Sequence, residues 1–422
     1  MNLASRDRAV NWHPYTQMKT TEDAIPIVKG KGIYLFDEDG KRYLDAVSSW
    51  WVTLHGHAHP YIAQKVSEQL NTLEQLIFAG FTHEPAIHLA ENLLQLLPEN
   101  QAKVFYSDNG STAVEVALKM CIQFWNNRGQ EKTKILAFKN AYHGDTFGAM
   151  SVSGRSFWTK PFGEMLFEVI FIDTPNFENL DELKTIISAN AQEIACFIYE
   201  PLVQGAAGML MHQPDDLSEL MKFCRENNVL MIQDEVFTGF GRTGKLFAAN
   251  YLSEKPDIMC FSKGLTGGTM PMGITTASQE IFDAFLSEDV YKTLFHGHSF
   301  TANPLACTAA LASMELLLEE ETLENIQMIC GKHSEFLNIL KQHPKVENAR
   351  QTGTIVAWEI KNEAKTSYFN QIGKFFYGKF LERGIIMRPL GNVMYLVPPY
   401  CITFDELDFL YKNIIEVLDE KI

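Results

Sequence analysis

A lone lysine follows an apolar segment in the sequence CFSKGLTGGTMPMG, which spans residues 260–273. Lys263 has no acidic residue in this stretch, whereas most lysines extend their charged end to water. Partial burial lowers the pKa of a lysine, and the neutral amine is a nucleophile toward a carbonyl carbon. Lys263 is therefore a candidate for covalent chemistry, and a lysine that reaches solvent is the alternative.

An acid closes an apolar segment about one strand and one loop earlier, in VLMIQDEVFTGFGRTG. A carboxylate such as Asp234 at the end of a buried strand costs free energy unless it meets a cation or a strong donor. Taken alone, Asp234 fits a helix cap or a structural ion pair better than a functional group. Its chemistry becomes informative only in combination with other residues.

Two further segments place polar or aromatic residues after predicted strands. Gly110 and Ser111 sit between a strand and a helix in FYSDNGSTAVEVALK, where exposed N–H groups and the helix dipole favour a phosphate. A turn with an ordinary helix cap explains the same residues. AYHGDTFG offers Tyr142, His143 and Asp145 close together, and the ring of Tyr142 could cover a planar cofactor or simply pack in a loop.

Taken together, these residues point to one cofactor more specifically than any of them does alone. A phosphate cradle, an acid and an amine are the three groups that pyridoxal phosphate requires: the acid keeps the pyridine nitrogen protonated, and the lysine holds the aldehyde carbon. Ser111 with Gly110, Asp234 and Lys263 fill these roles in turn. The sequence therefore predicts pyridoxal phosphate as the cofactor, with Tyr142 against its ring.

The elements that must position these residues alternate between strand and helix. Strands are predicted at KVFYSDN, KILAF, VIFID, IACFIYEP, VLMIQDEV and DIMCFS, and helices at EPAIHLAENLLQLL, GSTAVEVALKMCIQFW, NLDELKTIISAN and DDLSELMKFCRENN. Near-continuous apolar strands between helices indicate a mostly parallel sheet covered on both faces, hence an α/β fold. Such sheets bind ligands at the carboxyl ends of their strands, where the candidate residues lie.

The two ends of the chain have a different pattern of predicted strands and helices. GIYLFDEDGKRYLDAVS predicts an N-terminal hairpin, and NPLACTAALASMELLLEE a helix. TGTIVAWEI, YFNQIGKFFYGKFLERG, NVMYLVPP and a last helix with a Thr403/Glu406 capping box suggest a smaller α+β domain. We therefore expect a small domain from residues 1–54 and 311–422 and a large cofactor-binding domain from residues 55–310.

Composition narrows the class of partner. The 422 residues, 46% hydrophobic and 21% charged, are typical of a globular chain of two or three domains. A net charge of −16 argues against a nucleic-acid partner. The seven cysteines form no CxxC pair, and no uncharged apolar run reaches about 20 residues. We expect no metal site, no membrane partner, a small-molecule substrate and a cytoplasmic location.

Beyond these individual residues, longer segments of the sequence resemble a known family. DEVFTGFGRTG followed by SKGLTGG resembles the class III, fold-type I pyridoxal-phosphate aminotransferases. More narrowly, the chain is similar along its whole length to the branch that transfers the amino group of S-adenosylmethionine to 8-amino-7-oxononanoate in biotin biosynthesis. The segments that carry this similarity are NWHPYTQM, DAVSSWWVTLHGHAHP, EPLVQGAAGM, HGHSFTANPLAC and IIMRPLGNVMYLVPPY.

The resemblance implies roles for individual residues. Lys263 would be the Schiff-base lysine and proton shuttle, and Asp234 the partner of the pyridinium nitrogen. Gly110 and Ser111 would hold the phosphate in one subunit of a homodimer, with His298 and Ser299 reaching it from the other. The family usually has Pro-Thr at the latter two positions. The substrate site would comprise Tyr15, Trp50, Trp51, Tyr142, Gly297, Arg388 and Tyr395.

The substrates make chemical demands that these residues could meet. The acceptor is an aliphatic chain ending in a carboxylate, which the planar fork of Arg388 suits. The sulfonium of the donor would be attracted to the faces of Tyr15, Trp50 and Trp51, although one tryptophan of the pair could simply be core. The rivals are another class III aminotransferase, an isomerase on the same scaffold, or a non-catalytic protein that kept the fold. Lysine instead of S-adenosylmethionine as donor is left open.

Overall fold

The computed structural model describes residues 2–362, 366, 370 and 372–420. These residues form helices α1 (Leu3–Val10), α2 (Ser48–Trp51), α3 (Pro60–Leu70), α4 (Glu84–Leu96), α5 (Gly110–Asn127), α6 (Phe147–Val152), α7 (Leu180–Asn190), α8 (Pro214–Glu226), α9 (Gln279–Asp283), α10 (Pro304–Leu317), α11 (Glu320–Gln342), α12 (Ile372–Glu382) and α13 (Phe404–Asp419). Their strands are β1 (Ile27–Lys31), β2 (Tyr34–Asp37), β3 (Arg42–Asp45), β4 (Gln101–Ser107), β5 (Lys134–Phe138), β6 (Val169–Ile172), β7 (Ile194–Tyr199), β8 (Val203–Gln204), β9 (Leu210–Met211), β10 (Leu230–Asp234), β11 (Ile258–Phe261), β12 (Gly273–Ser278), β13 (Val346–Thr352), β14 (Ile355–Ile360), β15 (Ile385–Ile386) and β16 (Val393–Leu396).

Seven strands form the central sheet in the order β4-β12-β11-β10-β7-β5-β6. Strand β12 runs antiparallel to both of its neighbours, and the other six strands are parallel to one another. Alternate residues of β5 face opposite sides: Ile135 packs in the cluster that contains residues of α5, and Leu136 in the cluster that contains residues of α7 and α8. The sheet is therefore covered on both faces, which explains its near-continuous apolar strands.

The six strands and four helices predicted for this region are confirmed. Strand β12, by contrast, was not predicted, because its sequence GITTAS follows a glycine-rich stretch and carries hydroxyl side chains in place of an apolar run. Thr275 and Thr276 are nevertheless fully buried, since Thr275 donates to the Ala113 carbonyl oxygen at 2.7 Å and Thr276 to Gln101 Oε1 at 2.7 Å. Satisfied hydroxyl groups thus replace apolar ones in the core.

The two ends of the chain meet in one small sheet, in the order β1-β2-β3-β15, where β15 runs parallel to β3. The predicted hairpin corresponds to the antiparallel pair β2 and β3, and the capping box of Thr403 and Glu406 opens α13 as expected. A further sheet, β13-β14-β16, contains the strands predicted at TGTIVAWEI and NVMYLVPP. The boundaries 1–54, 55–310 and 311–422 stay a prediction.

Three C-terminal elements, α11, β13 and the two-residue strand β15, were not predicted, and one predicted helix lies partly outside the described residues. Strand β13 reads VENARQT, a mostly polar sequence whose residues after Val346 are exposed or half-buried. The predicted helix at YFNQIGKFFYGKFLERG is present as α12, while residues 368, 369 and 371 lie outside the described residues. No helix in the described part of the chain combines the length and apolar composition needed to cross a membrane.

Candidate active site

A cavity of about 280 Å³ opens at the carboxyl ends of the parallel strands. The segments that follow β4, β5, β7, β10 and β11 all contribute to its wall, because the carboxyl ends of parallel strands meet at one edge of the sheet. Its lining includes six residues singled out from the sequence: Trp51, Gly110, Ser111, Tyr142, Asp234 and Lys263. The structure therefore brings the predicted acid, amine and phosphate cradle together.

Lys263 comes two residues after β11 and begins a short 3₁₀ turn. Its φ angle of 43° lies in the left-handed region, a strained conformation for a residue with a side chain. Lys263 Nζ lies 4.7 Å from the ring centroid of Trp51 and 5.6 Å from that of Phe237. Lys263 forms no salt bridge within the described residues, and its amine lies against these two aromatic rings inside the cavity.

Burial lowers the pKa of Lys263 from 10.5 to about 8. The charges of Asp234 and Glu200 oppose this shift, and that of Arg242 adds to it. An amine with such a pKa exchanges between its charged and neutral forms close to physiological pH, which suits both a nucleophile and a proton carrier.

Asp234 is the last residue of β10 and is almost completely buried. Its Oδ2 lies 2.7 Å from His143 Nδ1, and its Oδ1 accepts a hydrogen bond from the Val236 N–H at 2.9 Å. Because a carboxylate only accepts hydrogen bonds, this contact requires a proton on His143 Nδ1. His143 Nε2 is buried and has no hydrogen-bond partner among the described residues. The sequence placed His143 beside Tyr142 and Asp145 in AYHGDTFG but predicted no role for it at the site.

The phosphate cradle lies at the start of α5. Asn109 caps the helix by accepting from Thr112 N–H, and no acceptor for the N–H groups of Gly110 and Ser111 occurs within the described residues. A Cβ at position 110 would come 2.9 Å from Val236 Cγ1, so glycine lets the start of α5 pack closely against the segment after β10. Uncapped N–H groups at a helix N-terminus favour an anion.

Tyr142 follows β5 and lines the cavity. Its N–H donates to Glu200 Oε2 at 3.0 Å, and its hydroxyl lies 3.4 Å from that of Tyr15. Burial, with the Tyr15 hydrogen bond and the Asp145 charge, raises the pKa of the Tyr142 hydroxyl, which keeps it protonated. Tyr15 in turn donates a hydrogen bond to the Asp145 carboxylate.

Glu200 is a site residue that the sequence analysis did not identify. It follows β7, is buried, and accepts hydrogen bonds from the N–H groups of Tyr142 at 3.0 Å and Gly205 at 3.1 Å. Burial raises its pKa to about 7, against the opposing charge of His143. The available signal was EPLVQG, in which an acid directly follows the fully apolar strand IACFIY.

The adjacent tryptophans have different environments. Trp51 lines the cavity and donates from Nε1 to the Tyr395 hydroxyl at 3.1 Å, whereas Trp50 is 38% exposed. Arg388 lies over the Trp50 ring with Cζ 4.1 Å from its centroid. Trp50 also contacts Tyr15 edge to face, with centroids 5.7 Å apart. Tyr15, Trp50 and Arg388 thus form a connected group, and Tyr395 holds Trp51 through a hydrogen bond and an edge-to-face ring contact.

The positions of the two tryptophans depend on a strained turn. Ser48, Ser49 and Trp51 have φ angles of 52°, 60° and 66°. Asp45, fully buried, accepts hydrogen bonds from the N–H groups of Val47 at 3.1 Å and Ser49 at 2.6 Å. Such strain persists only where the surrounding structure enforces it and is concentrated at functional sites.

Three predicted residues lie apart from this cavity. Gly297, His298 and Ser299 belong to the segment between β12 and α10 and do not line it. The His298 N–H donates to Thr301 Oγ1 at 3.1 Å, and the Gln75 side chain donates to the Ser299 carbonyl oxygen. His298 and Ser299 were predicted to serve the site of a second subunit, so their role stays a prediction.

The comparisons with known proteins agree with the chemistry of the cavity. The family model described as aminotransferase class-III matches residues 15–418, and the chain belongs to that family. It is 48% identical to the adenosylmethionine-8-amino-7-oxononanoate aminotransferase of Synechococcus elongatus, over 97% of this chain and 98% of the relative. A relative of the same name from Staphylococcus aureus is 38% identical over 99% of this chain and 98% of its own length.

Solved structures give the same result. The adenosylmethionine-8-amino-7-oxononanoate aminotransferase of Methanocaldococcus jannaschii superposes with a TM-score of 0.95 at 39% identity, covering 99% of this chain and 98% of its own. An amine transaminase from an uncultivated Pseudomonas species, solved in its PLP-bound form, superposes with a TM-score of 0.91 at 30% identity, covering 97% and 98%. The predicted α/β, fold-type I class is confirmed, and the protein is a pyridoxal-phosphate-dependent aminotransferase.

The residues present fit this cofactor. The uncapped N–H groups at the start of α5 suit its phosphate, and the buried, histidine-bound carboxylate of Asp234 suits its protonated ring nitrogen. Lys263 supplies an amine with no salt bridge in the described part of the chain. No group of three or more metal-binding side chains occurs there.

Proposed function

We propose that the protein transfers the amino group of S-adenosylmethionine to 8-amino-7-oxononanoate, giving 7,8-diaminononanoate for biotin biosynthesis. The observation that carries the proposal is the meeting of Lys263 and Asp234 in one cavity, at the ends of neighbouring strands β11 and β10. Two of the relatives that carry this substrate in their name are 48% and 41% identical over nearly the whole chain.

In this proposal each residue has a defined task at the cofactor. Lys263 holds pyridoxal phosphate through Nζ, Asp234 pairs with its ring nitrogen, Gly110 and Ser111 bind its phosphate, and Tyr142 covers its ring. When bound, the cofactor supplies an electron sink for the carbon that loses a proton. Lys263 Nζ, whose pKa is about 8, accepts that proton and returns it.

Neighbouring residues position the groups that act on the cofactor. His143 orients Asp234 through a 2.7 Å contact and excludes water from it, since both side chains are buried. Glu200 fixes the backbone of Tyr142. The aromatic faces of Trp51 and Phe237 surround Lys263 Nζ and keep water from stabilising its charged form.

The substrate site in this proposal lies at the mouth of the cavity. Arg388 binds the carboxylate of the acceptor, with Tyr15, Trp50, Trp51 and Tyr395 around the aliphatic chain. In a homodimer, His298 and Ser299 of the partner subunit would complete the phosphate site, and Gly297 of the partner subunit would line the substrate site. The cysteines are free thiols, which fits the reducing cytoplasm.

The test is turnover of purified protein with 8-amino-7-oxononanoate and either S-adenosylmethionine or lysine as donor, with the diamine product detected by mass spectrometry. We expect a yellow protein that forms the diamine with S-adenosylmethionine, and a Lys263→Ala variant that binds the cofactor but forms none. A colourless protein that ignores added pyridoxal phosphate contradicts the proposal. Turnover only with ornithine or another ω-amino acid favours the related class III activities, and conversion without a second substrate favours an isomerase.

A further inference from the structure

Trp158 lies on the loop 153–159, which follows α6, at the rim of the candidate active site. Its ring meets the Tyr15 ring edge to face, with centroids 5.7 Å apart and planes at 79°. Tyr15 meets Trp50 in the same way, at 5.7 Å and 66°. Tyr15, Trp50 and Trp158 therefore form one row of rings, here called the rim wall.

The rim wall is connected to the cavity through Tyr15. The Tyr15 hydroxyl donates to the Asp145 carboxylate and lies 3.4 Å from the hydroxyl of Tyr142, which lines the cavity. A molecule whose reacting group is inside the cavity would therefore extend outward along Tyr15 toward Trp158.

The loop that carries Trp158 is held in place by hydrogen bonds. Ser156 and Thr159 close a turn, in which the Ser156 N–H donates to Thr159 Oγ1 at 3.0 Å and the Trp158 N–H donates to Ser156 Oγ at 3.3 Å. Arg155 anchors the loop base by donating to the carbonyl oxygens of Ser151 at 2.8 Å and Phe167 at 3.0 Å. Trp158 is nevertheless 37% exposed. A pre-positioned, exposed tryptophan beside a cavity is typical of a binding surface.

The charges at the rim divide it into two sides. Arg388 lies over the Trp50 ring, so a second cation is repelled from that side and a carboxylate is attracted to it. The carboxylate of Asp145 accepts a hydrogen bond from Tyr15, the residue whose ring meets that of Trp158. A positively charged substrate is therefore favoured next to Tyr15 and Trp158, and an anionic one next to Arg388.

We propose that Trp158 is a specificity-determining residue for the amino donor, and that with Tyr15 it binds a donor carrying a positive charge next to a flat aromatic base. This inference rests on the proposed function, whose donor has a sulfonium and an adenine ring. Tryptophan attracts cations most strongly among the aromatic side chains, and nucleic-acid bases stack on such rings. Lysine has the charge but no base, so the rim wall favours S-adenosylmethionine over lysine.

The first experiment measures both Michaelis constants for wild type and Trp158→Ala. We expect the KM for S-adenosylmethionine to rise roughly tenfold, because both a cation–π contact and base stacking are lost. The KM for 8-amino-7-oxononanoate should change by less than about twofold, since its carboxylate binds on the Arg388 side. Trp158→Phe should recover most of the donor affinity, and Phe177→Ala, at a highly exposed phenylalanine after β6, serves as a matched control.

Three outcomes overturn the inference. An unchanged KM for S-adenosylmethionine shows that Trp158 does not contact the donor, and an equal rise in both constants shows that it only supports Tyr15. If wild type uses lysine and not S-adenosylmethionine, the proposed donor is wrong, although the amino transfer to 8-amino-7-oxononanoate still holds.

A binding measurement separates this inference from the proposed function. S-adenosylmethionine is titrated calorimetrically into cofactor-loaded Lys263→Ala and Lys263→Ala/Trp158→Ala, neither of which can turn it over. Weaker binding to the double variant by roughly tenfold supports the rim wall even if wild type forms no diamine. Equal binding to the two variants overturns it.

Discussion

His143 Nδ1 lies 2.7 Å from Asp234 Oδ2, and both side chains are nearly inaccessible to solvent. The contact occupies one carboxylate oxygen, while the other accepts the Val236 N–H at 2.9 Å. A buried carboxylate held by two donors has a fixed orientation, and it presents its remaining lone pairs and its charge to the cavity. This arrangement is what a cofactor with a protonated ring nitrogen requires.

Asp234→Asn should therefore reduce turnover without removing the cofactor. The amide can still accept the Val236 N–H, but it has no charge to keep the ring nitrogen protonated. We expect kcat to fall by roughly 10²- to 10⁴-fold, the range of one positioned proton-transfer group. Steady-state kinetics and cofactor titration by absorbance provide the measurement. Asp234→Glu is the control that keeps the charge, and an Asn variant with near wild-type kcat would contradict the assignment.

The strand ends of the site were predictable from the sequence for a physical reason. Residues 234 and 263 follow apolar strands that are buried on both faces, and such strands place their carboxyl ends at one edge of a parallel sheet. The helix start that contains Gly110 and the loop that contains Tyr142 follow β4 and β5, two other parallel strands of the same sheet. Local sequence was therefore sufficient for this part of the fold and of the cavity.

The site residues and the strand that were not predicted depend on contacts between residues that are distant in the sequence. Glu200 is a site residue because its carboxylate reaches the backbone of Tyr142, and Trp158 because its ring meets Tyr15, 143 positions away in the chain. The antiparallel strand β12 is buried although it carries Thr275 and Thr276, whose partners come from other elements. Neither periodicity nor composition contains this information.

The lowered pKa of Lys263 predicts the pH dependence of cofactor capture. With a pKa of about 8 the amine is mostly protonated below pH 8 and mostly neutral above it. Because only the neutral amine attacks the aldehyde, the rate of covalent capture should rise about tenfold per pH unit below that value and level off above it. Stopped-flow absorbance of cofactor-free protein mixed with pyridoxal phosphate measures this rate.

The same shift has a consequence for stability, with a defined sign. Between about pH 8 and 10.5 the unfolded chain binds more protons at this lysine than the folded one, so the free energy of unfolding of the cofactor-free protein should rise with pH in that window. Lys263→Met removes the titrating group and is the control for both measurements. A capture rate that continues to climb beyond pH 9 would show an ordinary lysine instead.

Arg388 provides a prediction about the acceptor. Its guanidinium stacks on Trp50, with Cζ 4.1 Å from the ring centroid, which leaves the edge of its planar fork for a carboxylate. Arg388→Lys loses both the stacking and the two-pronged hydrogen bond, so the KM for 8-amino-7-oxononanoate should rise about 10- to 100-fold while that for the donor changes little. Initial-rate kinetics with each substrate varied in turn measure both constants.

Two controls test whether the carboxylate is the cause. The methyl ester of 8-amino-7-oxononanoate should bind wild type about as weakly as the acid binds the variant. Arg42→Lys alters another stacked arginine, 4.9 Å from the Tyr34 ring and remote in sequence, and should leave both constants unchanged. If wild type binds the ester as well as the acid, Arg388 does not recognise the carboxylate.

Arg242 provides a prediction about stability, because it holds the strained turn that carries Trp51. It is 1% exposed, and it donates to the carbonyl oxygens of Pro398 at 2.9 Å, Thr53 at 3.1 Å and Trp51 at 3.5 Å. Arg242→Met would leave these buried oxygens without their donor. We expect a loss of about 3 kcal/mol in the free energy of unfolding, measured by urea denaturation. We also expect higher KM values for both substrates, since the turn that positions Trp51 is no longer fixed.

Arg128→Met is the matched control, because its half-exposed salt bridge to Glu280 at 3.0 Å should contribute less than about 1 kcal/mol. Equal losses in the two variants would mean that the carbonyl contacts of Arg242 do not stabilise the turn.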